Sequence, residues 1–209
     1  MNNARLIIVS APSGCGKGTI LHKVFEKSDV FYSVSCTTRA PRDEDIDGTT
    51  YHFMTKEAFE TMIAEGGFLE YARYADNYYG TPRKPAEDML ACGRDVVLEI
   101  ETQGAFQVKE LMPEAVSVFI LPPSVKELER RLNKRGTETP EVIAKRVAEA
   151  RGEIEKSYKY DYVIMNDDLP DALRDFELVI SSVKANDNRA DKFKAENMKE
   201  IIEEVLKNA

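Results

Sequence analysis

The chain has 209 residues and a mass of 23.6 kDa, the size of one compact domain with insertions or of one domain with a small appendage. Hydrophobic residues make up 43% and charged residues 32%, which excludes a disordered or fibrous chain. The 29 basic and 37 acidic residues give a formal net charge of −8, which argues against DNA or RNA as the main partner.

The first predicted elements are a strand, a glycine-rich turn and a helix. The aliphatic run Leu6-Ile7-Ile8-Val9 predicts a buried strand that ends near Ser10. Residues 11–16 interrupt the run, and apolar residues then recur at helical spacing from Lys17 to Phe25.

The turn carries most of the phosphate-binding pattern Gly-x-x-x-x-Gly-Lys-Ser/Thr. Small residues let backbone N–H groups converge on phosphate oxygens, and the lysine neutralises the β- and γ-phosphates. The first glycine is replaced by Ala11, and Gly18 stands at the hydroxyl position that usually binds Mg²⁺. The pattern predicts an ATP-type site formed by Ala11, Pro12, Ser13, Gly14, Cys15, Gly16, Lys17, Gly18 and Thr19. The alternative is a turn that only joins strand to helix.

Residues 31–92 differ from the rest because short polar and aromatic strands alternate with turns. We predict strands at Tyr32 to Cys36, Tyr51 to Phe53 and Phe68 to Arg73, and a helix from Lys56 to Glu65. Asp47-Gly48 predicts a turn. This region is therefore interpreted as an inserted α+β lobe.

The same region contains candidate binding residues. Arg39 and Arg42, separated by a proline that stiffens the segment, suit bidentate contact with a phosphate. Glu70 lies among aromatic and aliphatic residues. Neutral donors that could join them are Ser35, Tyr51, Tyr79 and Thr81. Taken singly, each has an ordinary alternative, since a surface arginine usually pairs with a carboxylate and a glutamate is usually solvated.

Three further aliphatic runs each precede a helical pattern. The runs are Val96 to Leu98, Val116 to Leu121 and Tyr162 to Ile164, and the helical patterns are Gln103 to Met112, Val125 to Lys134 and Leu169 to Val183. Strands that are apolar on both faces and alternate with helices predict a parallel sheet covered on both sides. Residues 126–151 hold 8 basic and 5 acidic residues, whereas residues 43–101 hold 14 acidic and 5 basic residues.

Several further classes of protein are disfavoured. No aliphatic run reaches the ~20 residues of a membrane span, and the N-terminus lacks a signal-peptide pattern. Three cysteines without metal-like spacing and two histidines do not make a zinc site, so we expect a cytoplasmic protein. The amphipathic tail from Ala185 leaves three alternatives open: it caps the core, pairs with a second copy in a homo-oligomer, or is a solvated helix.

Seven segments, taken in chain order, form a recognisable set: Ala11 to Lys17, Ser33 to Arg42, Phe68 to Glu70, Asn77 to Gly80, Ile120 to Ser124, Arg135 to Glu138 and Asn166 to Asp168. Together they resemble guanylate kinases of the bacterial type, which are nucleoside monophosphate kinases. The resemblance covers about residues 5 to 184.

The resemblance implies a P-loop NTPase-type three-layer α/β fold with a central parallel sheet, an inserted α+β GMP-binding lobe and a helical lid. It divides the chain into a core of residues 1–31, 93–125 and 158–184, a lobe of residues 32–92, a lid of residues 126–157 and a helical tail of residues 185–209. It also implies phosphoryl transfer from ATP to GMP, and to dGMP, giving ADP and GDP in purine nucleotide metabolism.

The resemblance further assigns roles to residues. Residues expected to hold the GMP phosphate are Arg39, Arg42, Tyr51 and Tyr79, and those expected to face the base are Ser35, Glu70 and Thr81. Arg135 and Arg146 match lid arginines and, with Lys17 and Arg39, are expected to be catalytic. Their alternative is the basic face of a surface helix. Asn166 is expected to join the ATP site.

Two features depart from the family pattern. Glu99 and Glu101 stand where guanylate kinases usually carry aspartates, and both stay candidates for guanine or Mg²⁺-water contacts. Lys17-Gly18-Thr19 resembles the adenylate kinase version of the loop. We therefore expect Mg²⁺ to be held mainly by the nucleotide and water, without a direct side-chain ligand.

Two other functions are weighed against this one. One is a non-catalytic guanylate-kinase-like domain that binds phosphopeptides, which the intact Gly16-Lys17 loop and the basic lid disfavour. The other is a kinase of another small phosphorylated acceptor, which Glu70 and the acceptor cluster disfavour.

Overall fold

The computed structural model describes residues 4–26, 28–74, 76–135 and 139–207, without the side chain of Arg135. The strands are β1 Leu6–Ser10, β2 Phe31–Tyr32, β3 Cys36–Thr37, β4 His52–Phe53, β5 Phe68–Tyr74, β6 Asn77–Pro82, β7 Val96–Glu99, β8 Val116–Leu121 and β9 Tyr162–Met165. The helices are α1 Lys17–Phe25, α2 Lys56–Ala64, α3 Arg83–Ala91, α4 Thr102–Leu111, α5 Val125–Arg135, α6 Pro140–Lys156, α7 Leu169–Ala185 and α8 Lys199–Lys207. Within these ranges no helix combines the length and apolar character needed to cross a membrane.

The larger of two sheets has five strands in the order β2-β7-β1-β8-β9. Strand β2 pairs in parallel with β7, and β8 pairs in parallel with β9. Every residue of β8 is buried, as expected for a strand covered on both faces. The predicted α/β fold with a central parallel sheet is confirmed.

The smaller sheet has the order β4-β3-β6-β5 and mixes parallel and antiparallel pairs. The prediction of one strand from Tyr32 to Cys36 is wrong, because Tyr32 pairs with Val97 in the larger sheet and Cys36 pairs with Gly80 in the smaller one. Residues 33–35 connect the two sheets. An alternating pattern predicts which residues of a strand face a core. It does not predict where the chain leaves one sheet and pairs with a strand of another.

The chain folds into two compact units. The first unit comprises residues 1–8 and 29–116, and the second comprises residues 9–28 and 117–209. In the first unit, Cys36, Phe59 and Phe68 form the apolar cluster beneath the smaller sheet. In the second unit, the rings of Phe25 and Phe176 meet edge to face with centroids 5.8 Å apart, which packs α1 against α7.

Local signals set the helix ends. Helix α2 begins after Thr55, whose hydroxyl accepts a hydrogen bond from the Ala58 N–H, and α7 begins after Asp168, whose carboxylate accepts from the Asp171 N–H. Helix α7 ends at Ala185, and its C-cap residue Asn186 adopts the left-handed conformation with φ 53°. The predicted helix from Lys17 to Phe25 is confirmed, and the other predicted helices differ by one or two residues at their ends.

The C-terminal tail packs within the second unit. Its buried apolar side chains are Phe193, Met198, Ile202 and Val205. The Ala195 N–H donates to the Asp161 carbonyl at 3.2 Å, and α8 contacts α6. Of the three alternatives for this segment, the structure supports a cap on its own chain over a solvated helix.

Candidate nucleotide-binding sites

The predicted phosphate loop, residues 11–19, forms a tight turn between β1 and α1 in the second unit. Gly14 and Gly16 have φ of 90° and 84°, a left-handed conformation that glycine adopts without strain. The Cys15 N–H donates to the Pro12 carbonyl at 3.1 Å, and α1 begins at Lys17. The N–H groups at the start of α1 and the turn before it therefore have the arrangement of an anion cradle.

Two side-chain contacts brace this loop. The Asn166 Nδ2 donates to the Cys15 carbonyl at 2.7 Å, and the Cys15 Sγ donates to the Ile120 carbonyl at 3.4 Å. A Cβ on Gly16 would lie 2.7 Å from the Asn166 Nδ2, so a larger residue at position 16 would displace the brace. Asn166, predicted for the ATP site, thus lies at the loop and holds its backbone.

The cysteines nearest the two candidate sites are buried. Burial raises the pKa of the Cys15 thiol to about 12 and that of Cys36 to about 11. Both thiols therefore stay protonated at neutral pH, and the reactive thiolate is not formed. Cys92 is exposed.

Basic side chains from α5 and α6 reach the loop region of the second unit. The Arg146 guanidinium donates to the Ser13 Oγ at 3.2 Å, which places this predicted lid arginine on the phosphate loop. Arg131 was not predicted, and its Nη1 donates to the Asn166 carbonyl at 3.1 Å. The only feature of the sequence that points to Arg131 is the basic character of residues 126–151. The side chain of Arg135 and residues 136–138 lie outside the described residues.

In the first unit, three residues predicted to hold the acceptor phosphate lie together. The Arg39 guanidinium carbon is 5.5 Å from the centroid of the Tyr51 ring, and the Tyr51 and Tyr79 ring centroids are 5.9 Å apart. Burial raises the pKa of Tyr51, so its hydroxyl remains a hydrogen-bond donor. Arg42, three residues after Arg39, is exposed.

Sequence reasoning missed Asp45, the counter-ion of Arg39. The Arg39 Nη2 and the Asp45 Oδ2 are 2.8 Å apart, and the Asp45 side chain is 8% exposed. The same oxygen accepts from the Arg42 N–H at 2.8 Å, and this bond together with the Arg39 guanidinium lowers the pKa of Asp45. Asp45 therefore fixes the guanidinium and the turn together. The acidic run at residues 43–45 has no spacing that would have revealed this role.

The predicted base-facing residues Glu70 and Thr81 lie opposite each other on β5 and β6. The Thr81 Oγ1 donates to the Glu70 Oε1 at 2.6 Å, and Glu70 is 7% exposed. Burial raises the pKa of Glu70, Thr81 opposes this rise, and the charge of Glu101 adds to it. A carboxylate accepts about four hydrogen bonds, so Glu70 has capacity for ligand donors. Ser35 is half-buried, and its carbonyl accepts from the His52 N–H.

The two glutamates that replace the family aspartates are held differently. The Tyr32 hydroxyl donates to the Glu99 carboxylate, which ties Glu99 to β2. Glu101 is exposed at the start of α4, and its charge contributes to the raised pKa of both Glu70 and Tyr51. The structure therefore brings Glu101 to the predicted acceptor residues.

Comparisons with known proteins agree on the family. The sequence model of the guanylate kinase family matches residues 3–183. The chain is 48% identical to a guanylate kinase of Thermus thermophilus over 185 residues, covering 88% of this chain and 84% of that protein. It is 48% identical to a guanylate kinase of Clostridium perfringens over 206 residues, covering 98% and 94%, so the similarity extends into the tail.

A solved structure gives the same result. The crystal structure of guanylate kinase from Anaplasma phagocytophilum superposes with a TM-score of 0.72 at 30% identity, covering 98% of this chain and 96% of that one. The matched fold includes both sheets, and the sequence match includes both predicted nucleotide sites. The chain therefore belongs to the guanylate kinase family.

Proposed function

We propose that this chain is an ATP:GMP phosphotransferase, which transfers the γ-phosphoryl group of ATP to GMP and gives ADP and GDP. The observation that carries the proposal is the buried Glu70 carboxylate bonded to Thr81, in a chain of this family that also has a braced phosphate loop. dGMP is proposed as a second acceptor, since none of the contacts invoked below involves the ribose 2′-hydroxyl.

Glu70 explains the choice of base. Guanine presents two adjacent donors, the N1–H and the exocyclic amine, and an ionised carboxylate accepts both. Adenine presents an acceptor at N1, which would face Glu70 without a hydrogen bond. A site left with an unpaired buried polar group rejects the analogue by a factor of about 10⁴ or more.

The acceptor phosphate is held by the cluster that surrounds Tyr51. Arg39 supplies a planar charged fork that Asp45 has already oriented, and Arg42 supplies a second charge three residues further on. Tyr51 and Tyr79 supply neutral donors. With Asp45 counted, the two arginines leave the cluster with one net positive charge, which partly neutralises a phosphate dianion, and the tyrosine hydroxyls donate to its oxygens.

The donor phosphates are held by the loop. Lys17 and the N–H groups at the start of α1 neutralise and orient the β- and γ-phosphates, and Arg146, already on Ser13, reaches the transferring group. Arg135 is proposed for the same role. Phosphoryl transfer requires positioning and charge neutralisation more than covalent chemistry. The contacts described here are of these two types.

The residues around the loop fit a Mg²⁺ that the nucleotide carries. The position after Lys17 is Gly18, which has no side-chain ligand, and Thr19 is exposed. No group of three His, Cys, Asp or Glu side chains in the described part of the chain could hold a metal. Phosphate oxygens and water are therefore the ligands we expect, and bound Mg²⁺ would neutralise charge on the β- and γ-phosphates.

Two wider properties are also proposed. The three free thiols suit a reducing compartment, and we place the reaction in the cytoplasm. A homo-oligomer stays a prediction from the amphipathic tail, and light scattering after size exclusion tests it.

The decisive experiment measures ADP formation from Mg-ATP with GMP, dGMP, AMP, UMP or no acceptor. We expect rapid ADP formation with GMP and slow formation with AMP or without an acceptor. Equal ATP consumption with and without GMP would overturn the proposal. The variant Glu70→Gln should raise the KM for GMP at least about tenfold and leave the KM for ATP within about twofold.

A further inference from the structure

The strand that carries Glu70 is an edge strand. In the smaller sheet, β5 pairs with β6 on one side only. An edge strand exposes N–H and C=O groups that have no partner strand, and it is less firmly placed than an inner strand. The position of Glu70 therefore depends on what holds the outer edge of β5.

A side chain of α4 takes the place of a neighbouring strand at that edge. The Tyr71 N–H donates to the Gln107 Oε1 at 3.2 Å, and the Gln107 Nε2 donates to the Tyr71 carbonyl at 3.1 Å. The side-chain amide of Gln107 thus bonds both the N–H and the carbonyl of Tyr71. Tyr71 directly follows Glu70, so this pair fixes the backbone next to the carboxylate.

Helix α4 touches Glu70 at a second point, on the same helix face. A Cβ built on Gly104 would lie 2.4 Å from the Glu70 Oε2 and 2.9 Å from its Cδ. Gly104 and Gln107 are three residues apart and so share a face of α4. The helix surface therefore fits against the carboxylate at Gly104 and bonds to the strand at Gln107.

We propose that Gln107 is a positioning residue for guanine recognition, acting through the backbone of Tyr71 on the carboxylate of Glu70. The inference rests on the proposed function, because it gives Glu70 the task of reading the base. Two parallel hydrogen bonds to guanine require both carboxylate oxygens to be placed within a few tenths of an ångström. Thr81 fixes one oxygen from β6, and the Gln107 amide fixes the strand from α4.

The test uses Gln107→Leu, which removes both hydrogen bonds and leaves an apolar side chain that is one bond shorter. The KM for GMP is expected to rise about tenfold, with the KM for ATP within about twofold. The preference for GMP over IMP, which differs only by lacking the exocyclic amine, is expected to fall about fivefold. Glu110→Leu, an exposed position on the same helix, is the matched control and is expected to change none of these values.

A double variant separates positioning from a general structural role. In the Glu70→Gln background, Gln107→Leu is expected to raise the KM for GMP by less than about twofold, because the carboxylate that it positions is already lost. A full tenfold rise in that background would overturn the proposal, and so would an unchanged KM for GMP in the single Gln107→Leu variant. If Glu70→Gln alone leaves the KM for GMP unchanged, the proposed reading of guanine fails along with the inference. If only Gln107→Leu is without effect, the inference alone fails.

A measurement on the unaltered protein covers the case in which Gln107→Leu does not fold. Hydrogen exchange at the Tyr71 amide is expected to be slow without nucleotide, because that N–H donates to Gln107. Exchange at the rate of an open edge strand would overturn the proposal.

Discussion

In the proposed function, the phosphate loop and the acceptor site each bind an anionic phosphate group, but they do so with different chemical groups. The loop uses backbone N–H groups and one charged side chain. Asn166 braces the loop through the Cys15 carbonyl, and Ile120 braces it through the Cys15 thiol. The acceptor site uses charged and aromatic side chains, and its own brace, Asp45, acts on the Arg39 guanidinium. A site built from backbone N–H groups depends little on side chains. The loop therefore tolerates Ala11 in place of the first glycine and Gly18 in place of serine or threonine.

The largest expected effect comes from the charged side chain of the loop. Lys17→Ala should lower kcat about 10³-fold, because backbone N–H groups alone do not neutralise the charge that develops on the transferring phosphoryl group. Steady-state kinetics at saturating GMP measures it. Lys23→Ala, an exposed position on the same helix, is the control. A kcat within tenfold of the unaltered protein would show that the backbone suffices.

The next effect tests the brace of the loop. Asn166→Ala leaves the Cys15 carbonyl buried without its donor, at a cost of about 1–3 kcal/mol. We expect the KM for ATP to rise about tenfold and Tm to fall by a few degrees, with the KM for GMP unchanged. Asp167→Ala, exposed next to it, should leave the KM for ATP unchanged. An equal rise in both KM values would contradict a brace that serves one site.

A smaller effect should appear as a pH dependence of the KM for GMP, caused by Glu70 in the acceptor site. Burial raises the pKa of Glu70, so the carboxyl takes up its proton at a higher pH than an ordinary glutamate. A protonated carboxyl cannot accept from both guanine donors, and the KM for GMP should therefore rise severalfold as pH falls through that pKa. Kinetics in parallel on Glu70→Gln provides the control, which should lack this acid limb. Its persistence there would assign the limb to another group.

The smallest effect concerns the reactivity of the cysteine thiols, of which Cys15 lies in the phosphate loop and Cys36 lies nearest the acceptor site. Iodoacetamide should label Cys92 alone in the folded protein and leave activity unchanged, because burial raises the pKa of Cys15 and Cys36 and blocks access. Mass spectrometry of tryptic peptides measures the labelling. Modification of Cys15 that ATP prevents would show that the loop opens more than its braces suggest.

The sequence predicted what periodicity and local motifs encode. Helix α1 and strand β8 were placed to the residue, since long apolar patterns identify both. The change of sheet between Tyr32 and Cys36 was missed, because it depends on partners 44 to 65 residues away, at Val97 and Gly80.

The site was predicted less completely than the fold. The residues that contact ligands in the proposal came from motifs and resemblance. Among the residues that hold them in place, Asn166 and Thr81 came from the resemblance, but Asp45, Gln107 and Arg131 were missed because they have no spacing of their own. Each acquires its role only from the backbone or side chain that the folded chain brings to it.

The passage of the chain from one sheet to the other also bears on how the protein folds. Strand β2 pairs with β7, Phe31 opposite Val96, and the whole smaller sheet lies within the loop between them. Closing a flexible loop of that length costs on the order of 4 kcal/mol, and about 1 kcal/mol less if residues 36–82 have already condensed. Loosening the cluster of Phe59 and Phe68 should therefore slow formation of the distant parallel pair, even though neither ring belongs to that sheet.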